Sequence, residues 1–221
     1  MKKGVILYHS NIKSIYKDRW INECINSLKN QTESNFTFYE INYDGSEYSV
    51  LSDVEINQTK KFWSIKMNNY AEAMNFVIDE AFKDECEVVF NVNLDDNYHP
   101  ERLEKQSFFI KQGHDLISSD FCYIEEFSDG SDLITNLMIM SDKLSDISNE
   151  IKRSHNIIAH PCVCYSKKFW DMGYRYDPRK TPEEDLDLWK RTIDSGCKFF
   201  IIPEILLYYR IHKGQSSNKN K

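Results

Sequence analysis

The stretch CEVVFNVNLDDNYHPERLEKQ, residues 86–106, decides the fold. Its first seven residues are mostly apolar, the pattern of a strand buried on both faces. Asp95-Asp96-Asn97 breaks the run with turn-forming side chains. Pro100 then opens a helix of about a dozen residues that Gly113 closes, with proline at the first position and glycine just past the end. Upstream the same alternation repeats. Residues 5–8 are an apolar strand, followed by a polar loop to about Lys17. Ile21, Cys24, Ile25 and Leu28 then recur on one helical face. Residues 36–41 form a second strand, which ends in the turn Tyr43-Asp44-Gly45-Ser46. After a loop to about Lys61, Met67, Ala71, Met74, Val77, Ile78, Ala81 and Phe82 describe a second amphipathic helix. Strand, helix, strand, helix, strand predicts right-handed crossovers and a parallel sheet.

Downstream, residues 116–127 predict one bent strand or two. The stretch 128–156 is mixed and polar, with a helix expected near its end. Residues 157–165 are strand-like, and a short helix ends at Gly173. Thr181-Pro182-Glu183-Glu184 reads as a helix start with a threonine cap, and that helix runs to about Ser195. Residues 198–212 are strand-rich around Pro203. The expectation is one α/β domain over 1–213, with a nucleotide-binding half to about 115, an acceptor-binding half after it, and a polar tail at 214–221.

The chain has 221 residues, enough to bury a large core without metal or disulfide staples. Lys and Arg number 28 against 35 Asp and Glu, a net charge of −7, which disfavours wrapping nucleic acid. No stretch approaches the roughly 20 apolar residues of a membrane span. The opening MKKGVILYHSN lacks a small-residue cleavage site and reads as the first strand rather than a leader, so a cytoplasmic location is expected. The six cysteines form no C-x-x-C pair and are expected as buried free thiols, Cys162 and Cys164 on one face.

In parallel α/β sheets, ligands bind beyond the carboxyl ends of the strands. Two acidic turns, Tyr43-Asp44 and Asp95-Asp96, are predicted to lie there. No G-x-G-x-x-G or P-loop motif follows the first strand, which disfavours a dinucleotide dehydrogenase or a P-loop enzyme. Adjacent carboxylates at a strand end repel, and a hard cation such as magnesium or manganese relieves the repulsion. The plainer account of the same residues is a solvated Asp-Asp-Asn turn. A second acidic cluster, Glu183, Glu184, Asp185 and Asp187, fits helix-dipole compensation. Asp185, beside the apolar residues Leu186, Trp189 and Ile193, is also placed to accept a proton from a hydroxyl at a crevice rim.

Six segments occur in a recognisable order: SLKNQT (27–32), EINYDGS (40–46), AEAMNFVIDEA (71–81), NVNLDDNYHPERLEKQ (91–106), GYRYDPRKTPEEDLDLWKR (173–191) and YYRIHKGQSS (208–217). Together they resemble glycosyltransferase family 2, the inverting nucleotide-sugar transferases of the GT-A fold, over nearly the whole chain. The fifth segment, with its E-D-x-D-L-W core, is the most specific. The resemblance implies a GT-A fold with a mixed, mostly parallel central sheet flanked by helices. It implies a metal, Mn2+ or Mg2+, at Asp96 and Asp95 with His212 as a further ligand. Tyr8, Asp44, Asn75 and Asp95 would hold the nucleotide, and Asp185 would be the base. The donor would be a nucleotide-diphosphate sugar, UDP-linked by preference. The acceptor would be a glycan, lipid-linked or protein hydroxyl. For Tyr8 the alternative is a buried aromatic at a strand end. For His212 it is a strand-end histidine without a ligand. Tyr43, Met74 and Asn93 depart from the acidic, arginine and acidic residues usual at those positions, which alters the nucleotide-reading half. They motivate a second reading, a degenerate nucleotide- or glycan-binding protein. A nucleotidyltransferase is less favoured, since residues 8–19 hold no glycine.

Overall fold

The computed structural model describes residues 1–126, 131–138, 144–212 and 215. The tail expected at 214–221 lies outside the described residues except for Gln215. Among the described residues nine strands make one sheet: β1 (Lys3–His9), β2 (Thr37–Asn42), β3 (Thr59–Ser64), β4 (Val88–Val92), β5 (Asn97–Tyr98), β6 (Leu116–Glu126), β7 (Asp132–Met138), β8 (Cys164–Ser166) and β9 (Phe199–Ile211). Their order is β3-β2-β1-β4-β8-β6-β9-β5, and β7 flanks the second half of β6. The block β3-β2-β1-β4 is parallel, as is β6 with β9, while β8, β5 and β7 pair antiparallel. This is a mixed α/β sheet. The helices are α1 (Ile12–Ile15), α2 (Asp18–Lys29), α3 (Tyr70–Lys83), α4 (Arg102–Lys111), α5 (Leu144–Lys152), α6 (Lys167–Asp171) and α7 (Glu184–Thr192).

The period-2 alternation of the central strands divides the core into two layers. Val5, Leu7, Val88, Phe90 and Val92 face one side with Ile21, Ile25 and Leu28 of α2 and Leu103 of α4. Ile6 and Val89 face the other, with Met74, Val77 and Ile78 of α3, Ile147 and Ile151 of α5, Trp170 of α6 and Trp189 of α7. Because β1, β2 and β4 are parallel, their carboxyl ends finish together, His9 beside Asn42 and Leu7 beside Val92. Arg102 braces that edge. It is fully buried and donates to the carbonyl oxygen of Asn91 at 2.7 Å.

Three expectations need correction. The loop after β2 contains β3, an edge strand whose charged, half-exposed sequence TKKFWS carries no apolar alternation. Of the expected strand 157–165 only Cys164 and Tyr165 pair in the sheet, as the start of β8, because Pro161, which has no N–H to give a ladder, sits in the 3-10 turn His160–Cys162. Helix α7 begins at Glu184, not after a Thr181 cap. Thr181 instead ends the 3-10 turn Pro178–Lys180, and its hydroxyl donates to the carbonyl of Pro178. The mixed, polar stretch supplies β7, which no pattern indicates, and α5, the helix expected near its end. Gly113 does close α4: it adopts φ +89°, left-handed backbone that favours glycine, and donates to the carbonyl of Ile110.

All six cysteines are free and buried. A thiol reagent is therefore expected to label none of them in the native protein and all six once the unreduced chain is unfolded. Fewer than six would reveal a disulfide.

Candidate active site

Strand β9 builds the site, because it brings residues from the far end of the chain beside the turn after β4. β5 pairs with it, Asn97 opposite Tyr208. The turn itself is closed locally. The Asn93 N–H donates to the Tyr98 hydroxyl at 2.8 Å, and the Asp96 N–H donates to the carbonyl of Asn93 at 3.3 Å. The backbone N–H of Arg210 donates to Asp96 Oδ1 at 2.8 Å, and its Nε donates to the carbonyl of Asp95 at 3.0 Å. The same guanidinium, wholly buried, reaches Glu23 at 2.6 Å and Asp132 at 3.2 Å. Arg210 thus pairs with acids and is not a free phosphate ligand, and Arg191 likewise pairs with Asp187.

Asp95 is 5% exposed and Asp96 is fully buried. His212 Nε2 lies 2.9 Å from Asp95 Oδ2. That leaves Asp95 Oδ1 and Asp96 Oδ2, both buried without a hydrogen-bond partner. Burial, and after it the Asp95 charge, pushes the Asp96 carboxyl well above the usual range, against the pull of Arg210 and Arg102. Two orphaned carboxylate oxygens in one turn are costly unless something charged meets them. Among the described residues no three His, Cys, Asp or Glu side chains converge as a closed cation cage. The donor set instead fits a magnesium-like ion, which takes one or two carboxylates and completes its shell with water and substrate phosphate.

A cleft of about 520 Å3 opens at the carboxyl ends of β1 and β4. Tyr8 lines it and donates its hydroxyl to Asn93 Oδ1 at 2.7 Å. Neither Asp95 nor Asp96 lines it. Tyr16 joins the two regions: it lines the cleft and packs edge-on against the His212 ring at 5.6 Å. Burial and then the Asp95 charge push the Tyr16 hydroxyl up, which records how near the acidic turn is.

The remaining sequence-predicted residues are divided. Asp185 lines the cleft and accepts from Asn156 Nδ2 and from the Leu186 N–H, both at 2.7 Å. Asp44 does not line it. Its Oδ2 accepts from the Asn11 N–H and its Oδ1 from the Ser46 N–H, so it shapes the two loops, and the Asn11 bond holds its carboxyl low. Tyr43 faces the cleft instead. Asn75 exchanges hydrogen bonds with the backbone of Tyr176, at 2.8 and 3.0 Å, and ties α3 to the segment before α7.

Glu184, which the sequence places only as a helix-dipole acid, belongs to the site. It is 3% exposed, lines the cleft, and accepts from the Tyr70 hydroxyl at 2.9 Å. Burial raises its carboxyl to about 7. A signal was present: Glu184, Leu188 and Thr192 are spaced by four, one buried row of α7.

No family model matches the chain. Over 199 residues it is 24% identical to MJ1057 of Methanocaldococcus jannaschii, described as an uncharacterized glycosyltransferase, and the match covers 88% of this chain and 67% of that protein. The structure of S. aureus TarS 1-349 superposes with TM-score 0.68 at 18% identity, over 95% of this chain and 60% of TarS 1-349; TarS 1-349 has also been solved in complex with UDP. The mannosyltransferase PcManGT of Pyrobaculum calidifontis, in complex with GDP-Man and Mn2+, superposes with TM-score 0.61 at 10% identity, over 96% of this chain and 57% of its own. The chain is thus a homologue of glycosyltransferases with a GT-A-type fold, and it spans about 60% of the TarS 1-349 chain it matches.

Glu184 sets a pH dependence. Its carboxyl titrates near 4.5 when unfolded and near 7 when folded, so between those values the folded state holds the extra proton. The stability it contributes is full below about 4.5 and is lost as pH rises through about 7, about 3 kcal/mol in all. Denaturant melts across that window should show this loss, and Glu184→Gln should flatten it. An unchanged slope would place the carboxyl in water.

Proposed function

We propose that the chain is a metal-dependent inverting glycosyltransferase of the family 2 type, working in the cytoplasm. It would move one sugar from a UDP-sugar to a hydroxyl acceptor. The observation that carries the reading is the pair of buried, partnerless oxygens on Asp95 and Asp96, beside a cleft that also holds the Asp185 carboxylate. Homology to a glycosyltransferase and the GT-A-type fold support it.

Asp96 and Asp95 would hold the metal, with His212 steadying Asp95 across the 2.9 Å contact. When bound, Mn2+ or Mg2+ supplies positive charge for the diphosphate leaving group. The chain's own residues do the rest. Arg210 fixes the acidic turn through its backbone N–H and its guanidinium. Tyr8, on the cleft wall, meets the nucleoside side of the donor. Asp185 Oδ2, oriented by Asn156, takes the proton from the acceptor hydroxyl. The acceptor oxygen then displaces the nucleoside diphosphate from the opposite face, which inverts the anomeric carbon.

Calorimetric titration with UDP, GDP, CMP and dTDP, each with manganese and again with EDTA, tests the reading. Uptake of one diphosphate that EDTA abolishes is expected, with UDP preferred. Absence of binding under every condition would reject it in favour of a degenerate fold. Asp96→Ala should remove the manganese-dependent binding, and unchanged affinity would take Asp96 out of the site. Asp185→Asn should retain donor binding and lower transfer by about 100-fold or more. Full activity would make Asp185 a helix-start acid only.

A further inference from the structure

Strands β6 and β9 carry three rings that the donor chemistry does not use. Phe121 and Tyr123 alternate with Cys122 and Ile124, which are 3% and 4% exposed and belong to the opposite, buried face. Tyr209 lies directly across from Tyr123 in the parallel register. All three line the cleft and are only partly buried. Their centroids are 5.4 to 6.0 Å apart with interplanar angles of 59° to 86°, so none stacks flat on another. An aromatic wall lining a cleft marks a surface that a ligand covers.

The sheet order decides which part of the ligand meets it. Tyr8 and Tyr43 stand at the ends of β1 and β2, the crevice where an open α/β sheet receives a nucleotide. The aromatic wall stands on β6 and β9, beyond the Asn93–Asp96 turn from that crevice. It shares the cleft with Asp185, the residue that must meet the acceptor hydroxyl. A pyranose ring matches such a wall chemically. One face of it presents C–H groups to a ring, and its edge presents hydroxyls to Tyr123, Asn156 and Asp185.

We propose that Phe121, Tyr123 and Tyr209 form the acceptor platform and that the acceptor is a sugar ring, not an acyclic polyol or an apolar chain. This rests on the transferase reading above, whose donor half is read separately in the test. Saturation-transfer NMR is recorded with n-butyl β-glucopyranoside, methyl β-galactopyranoside and ribitol, and UDP binding with manganese is measured on the same samples. The pyranosides should take saturation at their ring C–H protons, and ribitol should take none. Tyr123→Ala should weaken pyranoside binding roughly tenfold while Tyr123→Phe retains it and both variants bind UDP as before. Saturation centred on the butyl chain, equal saturation of ribitol, no saturation of either pyranoside, or full binding by Tyr123→Ala would each overturn the platform. Pyranoside binding without any UDP binding would leave the platform standing and remove the transferase reading instead.

Discussion

The structure depends on a desolvated acidic turn that the rest of the chain must hold in place. Asp95 and Asp96 are almost completely buried, and two of their four carboxylate oxygens have no partner. Like charges at that separation and burial would push a chain apart unless other groups fix the backbone. Arg210 does so from a strand more than a hundred residues away: its N–H holds one carboxylate and its guanidinium holds the carbonyl of the other. Glu23 and Asp132 share that guanidinium, so α2, the β4 turn, β7 and β9 meet at one buried cation. Arg102 adds a second buried positive charge behind the turn.

The sheet explains why those parts converge. Four parallel strands end at one edge, so the turns after β1, β2 and β4 open into one cleft. The antiparallel strands β8 and β5 then fold the second half of the chain back onto that edge. This places Asp185 and Glu184 of α7 on the same cleft as Tyr8 and Asn93. Two adjacent carboxyls there have different surroundings. Glu184 is buried against Tyr70, and Asp185 is held by an amide and a backbone N–H. Different environments for neighbouring carboxyls are how one site separates their roles.

Much of the frame was legible because it rests on local periodicity. The strand at 88–92 and the helices at 18–29 and 70–83 follow from apolar spacing, and the start and end of α4 follow from Pro100 and Gly113 to within two residues. What escaped depends on partners distant in sequence. The edge strand β3 is stabilised by pairing with β2 and carries lysines where alternation would be sought. The start of α7 is set by the 3-10 turn before it, which no capping pattern reveals. In the site, residue types were legible but their orientation was not. Asp44 turned to Asn11 and Ser46, and Asn75 to the Tyr176 backbone. Glu184 looked like a dipole acid until packing against Tyr70 buried it.

The central claim is that the partnerless oxygens of Asp95 and Asp96 receive the cation that accompanies a nucleoside diphosphate. Crystals grown with UDP and manganese, with diffraction recorded at the manganese absorption edge, test it most directly. One anomalous peak within coordination distance of Asp96 Oδ2 or Asp95 Oδ1, and touching the diphosphate, is the predicted result. Ordered UDP with no peak beside either carboxylate, or a peak elsewhere on the chain, would contradict it.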